Sequence, residues 1–288
     1  MNRRTFLQSS VILPAAVGAI TGSVSENTSK SDLTKFSSRV RSLDRIGVQL
    51  YTVRNLLSSD YEKTIRAVAD MGYDEVEAVW DPDRNPDDIR ALFDEVGLLA
   101  PSVHAPIGAL QNDLSRVIDA AQRIGHSYIV CPWLSEDQRT MAMYKNHVKL
   151  FNEVGAACKE VDIEFAYHNH EFEFEAAENG VIPYDMLIEE TDPELVLMEL
   201  DLYWIVYANR DPVEYFERYP GRFPLCHVKD MGEDREMAPV GEGQIDFAAI
   251  FAESKTAGLK HYFVEHDHPA DALESIRISI NHLKSLEF

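Results

Sequence analysis

Basic residues are scarce in this sequence: 27 Lys and Arg stand against 49 Asp and Glu in 288 residues, a formal net charge of −22. A surface this acidic repels phosphate backbones, so we expect no nucleic-acid partner. Cysteine is also scarce, and Cys131, Cys158 and Cys226 have spacings that match no zinc motif. Because Cys131 and Cys226 lie in apolar, strand-like runs, we expect buried, inert thiols rather than a disulfide.

Long hydrophobic runs are lacking as well. The apolar stretch at residues 11–20 is too short for a standard membrane span. It follows Arg3, Arg4, Phe6 and Leu7, and this order resembles a twin-arginine export signal. We therefore expect residues 1–22 to be a signal segment, 23–43 a polar linker, and 44–288 the folded domain. The expected location is periplasmic, with no stable membrane insertion once the signal is removed.

A glycine-rich phosphate loop is missing after the first predicted strand, since residues 51–55 contain no glycine. That absence argues against an open, doubly wound, nucleotide-binding sheet, which is the alternative fold. From residue 45 onward, short apolar runs alternate with segments of helical periodicity, about eight of each. This alternation predicts a parallel sheet closed into a single-domain (β/α)8 TIM barrel.

Polar side chains stand at the carboxyl ends of the predicted strands, where barrel enzymes place their chemistry. In strand order they are Gln49, Glu77, His104, His168 with His170, Asp201, His227 with Lys229, and Glu265. Mixed imidazole and carboxylate ligands suit Mn²⁺, Co²⁺, Fe²⁺ or Zn²⁺, and oxygen-rich sites suit Mg²⁺. Because side chains alternate along a strand, either His168 or His170 could be the ligand on strand five. We therefore predict one divalent cation at the ends of strands five to eight.

Four segments resemble the sugar-phosphate isomerase/epimerase family of the xylose-isomerase-like TIM barrels, over about residues 45–288. They are Tyr167-His168-Asn169-His170-Glu171-Phe172-Glu173-Phe174, Leu200-Asp201-Leu202-Tyr203-Trp204, His227-Val228-Lys229-Asp230 and Val240-Gly241-Glu242-Gly243-Gln244-Ile245-Asp246-Phe247. The resemblance implies one cation held by His168, Asp201, His227 and Glu265. Well-studied epimerases of this superfamily carry glutamate where this chain has His168, which puts their two-glutamate proton exchange in doubt here.

The resemblance implies proton removal beside a carbonyl, giving an enediolate that the cation stabilises. Candidates for the base are Glu265, Lys229, His170 and Glu77. A nearby cation would lower the pKa of Lys229, whereas a salt bridge to Asp230 or Glu199 is the alternative for this residue. Substrate contacts are expected from His104, Trp80, Trp204 and Gln49.

The leading hypothesis is a sugar isomerase or epimerase. Exported proteins do not normally meet sugar phosphates, so the expected small-molecule partner is an unphosphorylated sugar or a glycoside. The same proton abstraction would also allow a lyase or hydrolase of 3-keto-glycosides. A noncatalytic sugar-binding barrel is a third hypothesis, and the sequence leaves a homo-oligomer open.

Overall fold

Short parallel strands form a closed barrel in this computed structural model, which describes residues 40–177 and 180–288. Among the described residues eight strands pair in a full circle: β1 (Gly47–Gln49), β2 (Glu75–Val79), β3 (Leu99–His104), β4 (Tyr128–Cys131), β5 (Glu164–His168), β6 (Val196–Asp201), β7 (Leu225–Val228) and β10 (His261–Val264). The circle closes where β1 pairs with β10, Gly47 opposite Phe263. The predicted (β/α)8 barrel is therefore confirmed.

Helices follow the strands and cover the outside of the barrel. They are α1 (Arg54–Ser59), α2 (Tyr61–Asp70), α3 (Pro86–Val96), α4 (Ile107–Asn112), α5 (Leu114–Ile124), α6 (Met141–Lys159), α7 (Pro183–Glu190), α8 (Leu202–Tyr207), α9 (Pro212–Arg218), α10 (Phe247–Ala252), α11 (Ser254–Ala257) and α12 (Ala272–Ser285). Side chains cap several of them, such as Asp60, which accepts from the Lys63 N–H at the start of α2. Gly97 and Gly125 end α3 and α5 in the left-handed conformation that glycine adopts readily.

The structure adds elements to the predicted pattern. The helix predicted over residues 247–258 is two helices, α10 and α11, which meet at Glu253. A hairpin of β8 (Asp230–Met231) and β9 (Met237–Ala238) follows β7. The glycines at 241 and 243 lie in the turn beyond it, where both N–H groups donate to the Asp230 carboxylate. The periodicity of apolar residues along the chain does not reveal strands, turns and helix breaks as short as these.

The predicted signal segment, residues 1–22, and the linker up to residue 39 lie outside the described residues. Within the described part of the chain, every helix is too short or too polar to cross a membrane. The three cysteines are buried and free, as predicted. Burial raises the pKa of the Cys131 and Cys158 thiols to about 12, so neither is a ready nucleophile.

An apolar layer fills the amino-terminal part of the barrel interior. It consists of Tyr128, Val130, Ala166, Leu225 and Phe263, with Leu197 packed against them. The inward side chains one step further along the strands are polar and buried: Gln49, Glu77, His104, His168, Glu199 and His227. The apolar layer therefore closes the barrel from one side, and the polar side chains face its carboxyl end.

Gly47 should be the most sensitive glycine of this interior. A Cβ there would lie 2.4 Å from Phe263 Cδ1, so we expect Gly47→Ala to destabilise the fold by about 1–3 kcal/mol, as overpacked cores do. Gly108→Ala on α4 is the control, since a Cβ there meets nothing within 4 Å. It should be neutral or stabilise by up to about 1 kcal/mol. Urea denaturation of both variants measures the difference, and equal stabilities would contradict the packing assigned to Phe263.

Candidate metal centre and adjoining pocket

Four buried side chains from consecutive strands converge at the carboxyl end of the barrel. His168 ends β5, Asp201 ends β6, His227 lies on β7 and Glu265 follows β10. One ligand atom from each lies within 4.8 Å of the ligand atoms of the others. Residues up to about 100 positions apart meet here because parallel strands end at one face of the barrel.

Both imidazoles have a polar partner at each ring nitrogen. His168 Nδ1 lies 3.0 Å from the Pro132 carbonyl oxygen, to which only an N–H can donate. Its Nε2 lies 3.3 Å from Asp201 Oδ2. His227 Nε2 lies 2.6 Å from Glu77 Oε2, and its Nδ1 lies 2.8 Å from Glu265 Oε2. Both rings thus direct a nitrogen toward carboxylate oxygens, an arrangement that fits a bound cation and its outer hydrogen-bond partners.

Asp201 is held in place by the helix that follows it. Its Oδ1 accepts from the Trp204 N–H at 2.9 Å and caps α8, while Oδ2 faces His168. Burial alone would raise the pKa of Asp201, but the charge of Lys229 and the contact with His168 lower it to about 2. The carboxylate is therefore ionised and presents one oxygen to the centre.

Lys229 lies among three carboxylates. They are not those of Asp230 or Glu199, with which the alternative interpretation of the sequence expected a salt bridge. Its Nζ is 3.0 Å from Asp201, 2.7 Å from Glu265 and 3.0 Å from Asp267. Burial opposes the ammonium, but these carboxylates raise the pKa of Lys229 well above its ordinary value. The lowering expected from sequence concerned a cation bound nearby and stays a prediction. Lys229 and the His227 ring, whose Nδ1 lies 2.8 Å from Glu265, thus lie among three carboxylates, a set of donors that suits a divalent cation.

A second polar group lies beneath the first. Glu77, His104 and Glu199 join His227, again with ligand atoms within 4.8 Å of one another. His104 Nε2 lies 2.8 Å from Glu199 Oε2 and 3.1 Å from Glu77 Oε2. Sequence reasoning did not assign Glu199 to the site, although it is two residues before Asp201 and so on the same strand face.

Glu77 and Gln49 lie in the barrel interior, where each contacts other protein groups. Gln49 Nε2 donates to Glu77 Oε2 at 2.7 Å, and Ser102 Oγ donates to Glu77 Oε1 at 2.5 Å. Both side chains are fully buried, and neither lines the pocket described next. A base at Glu77 and a substrate contact at Gln49 stay predictions; in the structure Glu77 contacts His227, and Gln49 Oε1 accepts from the Tyr51 N–H at 2.9 Å.

A pocket of about 470 Å³ opens directly above the candidate metal centre. Its lining combines polar groups with aromatic walls: Tyr51, Val79, Trp80, His104, Pro106, Pro132, Trp133, His168, His170, Glu265, Asp267 and His268. The predicted contacts His104 and Trp80 line it, whereas Trp204 lies behind His170 at a ring distance of 5.5 Å. Asp267 and His268 were missed, although Asp267 follows Glu265 by two positions and could have been found from that spacing.

His170 is a pocket residue with one ring nitrogen that has no hydrogen-bond partner among the described residues. This nitrogen is Nδ1, and it is buried. The ring stacks on Phe172 at 5.6 Å, and its backbone N–H donates to Glu173 Oε2 at 2.8 Å. Burial and the nearby charges of His168 and Lys229 lower the pKa of His170 well below its usual range, so the ring is neutral.

Comparison with known proteins gives one family. A family model described as xylose isomerase-like TIM barrel matches residues 65–286. A curated relative, inosose dehydratase of Geobacillus kaustophilus, is 27% identical over 235 residues, covering 66% of this chain and 74% of that protein. Shorter matches to inosose dehydratases of Clostridium tetani and Clostridium perfringens span 41% of those proteins.

Solved structures share the fold. A sugar phosphate isomerase/epimerase from Parabacteroides distasonis superposes with a TM-score of 0.74 at 25% identity, over 85% of this chain and 95% of that one. The IolI protein, solved with a bound zinc atom, superposes with a TM-score of 0.66 at 15% identity, over 82% and 95% of the two chains.

We expect the candidate metal centre to lose its cation when the Asp201 carboxylate is replaced by an uncharged amide. We expect Asp201→Asn to fold, because an Asn side chain still caps α8, but to bind far less Mn²⁺ or Zn²⁺. Asp271→Asn, the same change at the start of α12, is the control and should bind as the parent does. Elemental analysis after dialysis measures both; full metal content in Asp201→Asn would contradict the site.

Glu77 should act through His227. We expect Glu77→Gln to weaken cation affinity by about 10–100-fold, the usual cost of losing an outer partner of a metal-bound histidine. Glu75→Gln is the control on the same strand, because Glu75 pairs instead with His261 at 2.8 Å. Calorimetric titration with Mn²⁺ gives both affinities, and equal values would show that Glu77 does not position His227.

Proposed function

We propose that this chain, which belongs to the xylose isomerase-like TIM barrel family, is a divalent-metal-dependent enzyme that removes a proton beside a carbonyl of a sugar-type substrate. Family membership, expected from four sequence segments, follows from the family model that matches residues 65–286. The observation that carries the proposed reaction is the placement of a neutral imidazole, His170, in a pocket directly above the candidate metal centre.

His168, Asp201, His227 and Glu265 would hold the cation, since their ligand atoms converge and each imidazole has an outer hydrogen-bond partner, Pro132 for His168 and Glu77 for His227. A divalent cation bound there would supply stabilisation for the negative charge that develops on the carbonyl oxygen. Lys229 holds Asp201, Glu265 and Asp267 in place through its ammonium. These residues fix the charges of the site before substrate enters, which lowers the cost of reorganisation during the reaction.

His170 is our assignment for the general base. Of the four candidates from the sequence, Glu77 is out of reach of the pocket, and Glu265 and Lys229 contact each other at 2.7 Å. His170 lines the pocket, and its buried Nδ1 has no hydrogen-bond partner among the described residues. In the proposed step the His170 imidazole takes the proton from the carbon next to the carbonyl.

We favour elimination over isomerisation as the outcome, which reverses the order of the two hypotheses drawn from the sequence. Isomerisation or epimerisation by exchange between two metal-bound glutamates would need a second glutamate, and the strand-five position holds His168. The curated relatives are named dehydratases, and loss of water is an elimination. Isomerisation remains the second candidate, because a solved relative at 25% identity carries the name sugar phosphate isomerase/epimerase.

An unphosphorylated substrate suits the pocket. Among the described residues, no lysine or arginine lines it, while Glu265 and Asp267 do. A phosphate group would meet the like charge of these carboxylates without a lysine or arginine side chain in the lining to pair with it. We therefore propose a keto-sugar or a 3-keto-glycoside, encountered after export through the twin-arginine-type segment at residues 1–22.

Exchange of substrate hydrogen with solvent tests the proposed reaction. The protein loaded with Mn²⁺ is incubated in D₂O with free keto-sugars and with 3-keto-glycosides, and products are identified by NMR and mass spectrometry. We expect deuterium at the carbon beside the carbonyl and release of the leaving group. A rearranged sugar without release would support the isomerase, and tight binding without exchange would identify a noncatalytic sugar-binding barrel.

His170→Gln should separate catalysis from metal binding. Removal of a general base typically costs about 10²–10⁴-fold in rate, and we expect a loss of kcat in that range. Metal content should stay that of the parent, because His170 is not among the converging ligands. An unchanged kcat would refute His170 as the base, and a parallel loss of metal would place it among the ligands instead.

A further inference from the structure

A second cavity, of about 360 Å³, lies between the outer face of the sheet and the helices that cover β2 and β3. Ala78 and Val103 form its floor on the strands, and α1, α3 and α5 contribute Leu57, Ile89 and Ala120. Small side chains at Ala78, Ala120 and Ala121 leave this space unfilled. Its volume lies within the range of small-molecule sites, roughly 300–1,000 Å³.

The cavity adjoins the pocket above the metal centre. Tyr51, Val79 and Trp80 line both spaces. Tyr51 and Val79 are 41% and 45% exposed, so they form an open rim rather than a sealed partition. A single ligand could therefore extend from the metal centre, past these three side chains, into the apolar space.

His126, which lines the apolar cavity, has a polar atom without a partner. His126 is 4% exposed, and its Nδ1 lies 2.6 Å from the Ala100 carbonyl oxygen, so that nitrogen carries the proton. Its Nε2 is buried with no hydrogen-bond partner among the described residues. Burial lowers the pKa of His126 to about 4, so the ring is neutral and Nε2 is an acceptor. A buried acceptor without a donor is costly unless a ligand supplies one.

The side chains at the cavity rim disfavour a cationic ligand and favour a flat, aromatic one. Arg54 lies over the Tyr51 ring at 4.0 Å and Arg84 over the Tyr61 ring at 4.0 Å. These two guanidinium groups would repel a cation, whereas aromatic rings are the usual partners of such stacked surfaces.

We propose that this cavity binds an aromatic leaving group, bearing a hydroxyl that donates to His126, of a keto-glycoside whose sugar lies above the metal centre. The inference rests on the proposed function and names its substrate class. The base takes the proton from the carbon between the carbonyl and the anomeric carbon. The electron pair of the broken carbon–hydrogen bond forms a carbon–carbon double bond, and the bond from the anomeric carbon to the leaving oxygen breaks. The oxygen keeps the bonding pair and gains the proton that the base removed, which gives a free phenol and an unsaturated keto-sugar without any co-reactant.

Filling the cavity tests this assignment. The substrates are the methyl and 4-hydroxyphenyl glycosides of the same 3-keto-sugar, and the variant is Ala120→Leu, at a half-buried position of α5. An aryl group leaves more readily in any enzyme, so the ratio of kcat/KM values is compared between proteins. We expect Ala120→Leu to lower the aryl-to-methyl ratio at least tenfold with the methyl value unchanged. Ala156→Leu on the exposed face of α6 should leave both values as in the parent. An unchanged ratio would overturn the proposal.

A binding measurement separates this inference from the reaction itself. Hydroquinone is titrated into the metal-loaded parent, Ala120→Leu and His126→Gln, each first checked for a parent-like thermal midpoint. We expect binding to the parent, at least tenfold weaker binding to both variants, and no difference with Ala156→Leu. If Ala120→Leu does not fold, Ala121→Val takes its place. Binding that depends on Ala120 supports the cavity even if no elimination is detected, whereas equal binding to all proteins, or none to the parent, refutes it.

Discussion

The structure depends on buried carboxylates that meet at the carboxyl end of the barrel. Asp201, Glu265 and Asp267 surround the ammonium of Lys229, while His168 Nε2 lies 3.3 Å from Asp201 Oδ2 and His227 Nδ1 lies 2.8 Å from Glu265 Oε2. Buried charge without compensation is strongly unfavourable. The divalent cation that we propose would be bound by these rings and carboxylates together.

The rest of the barrel interior supports that centre in layers. An apolar layer around Phe263 closes the amino-terminal side, and above it Glu77 and Glu199 bind the imidazoles of His104 and His227. The pocket then opens over the centre, with His170 at its wall and aromatic side chains around it. Side chains two positions apart on a strand both point into the barrel and belong to successive layers. The alternation of side chains along the strands therefore determines the order of the layers in the site.

That alternation explains what could be predicted from sequence. The order of the strands, and the convergence of His168, Asp201, His227 and Glu265, follow from apolar runs that end in polar residues at βα spacing. Glu199 and Asp267 follow from the same period but were overlooked, because each is two positions from a more conspicuous carboxylate. The pairing of Lys229 with Asp267 was unpredictable, since the two residues are 38 positions apart and no pattern links them. The cavity under Trp80 was also unpredictable, because it arises where small residues of two separate elements, β2 and α5, face each other.

Anomalous diffraction from crystals grown with Mn²⁺ tests the central claim most directly. The account predicts one strong peak, roughly 2.0–2.3 Å from His168 Nε2, Asp201 Oδ2, His227 Nδ1 and a Glu265 oxygen, with Lys229 still paired to Asp267. It also predicts no peak in the lower group of Glu77, His104 and Glu199. A cation bound in that lower group instead, or none in a barrel with parent-like geometry, would contradict it.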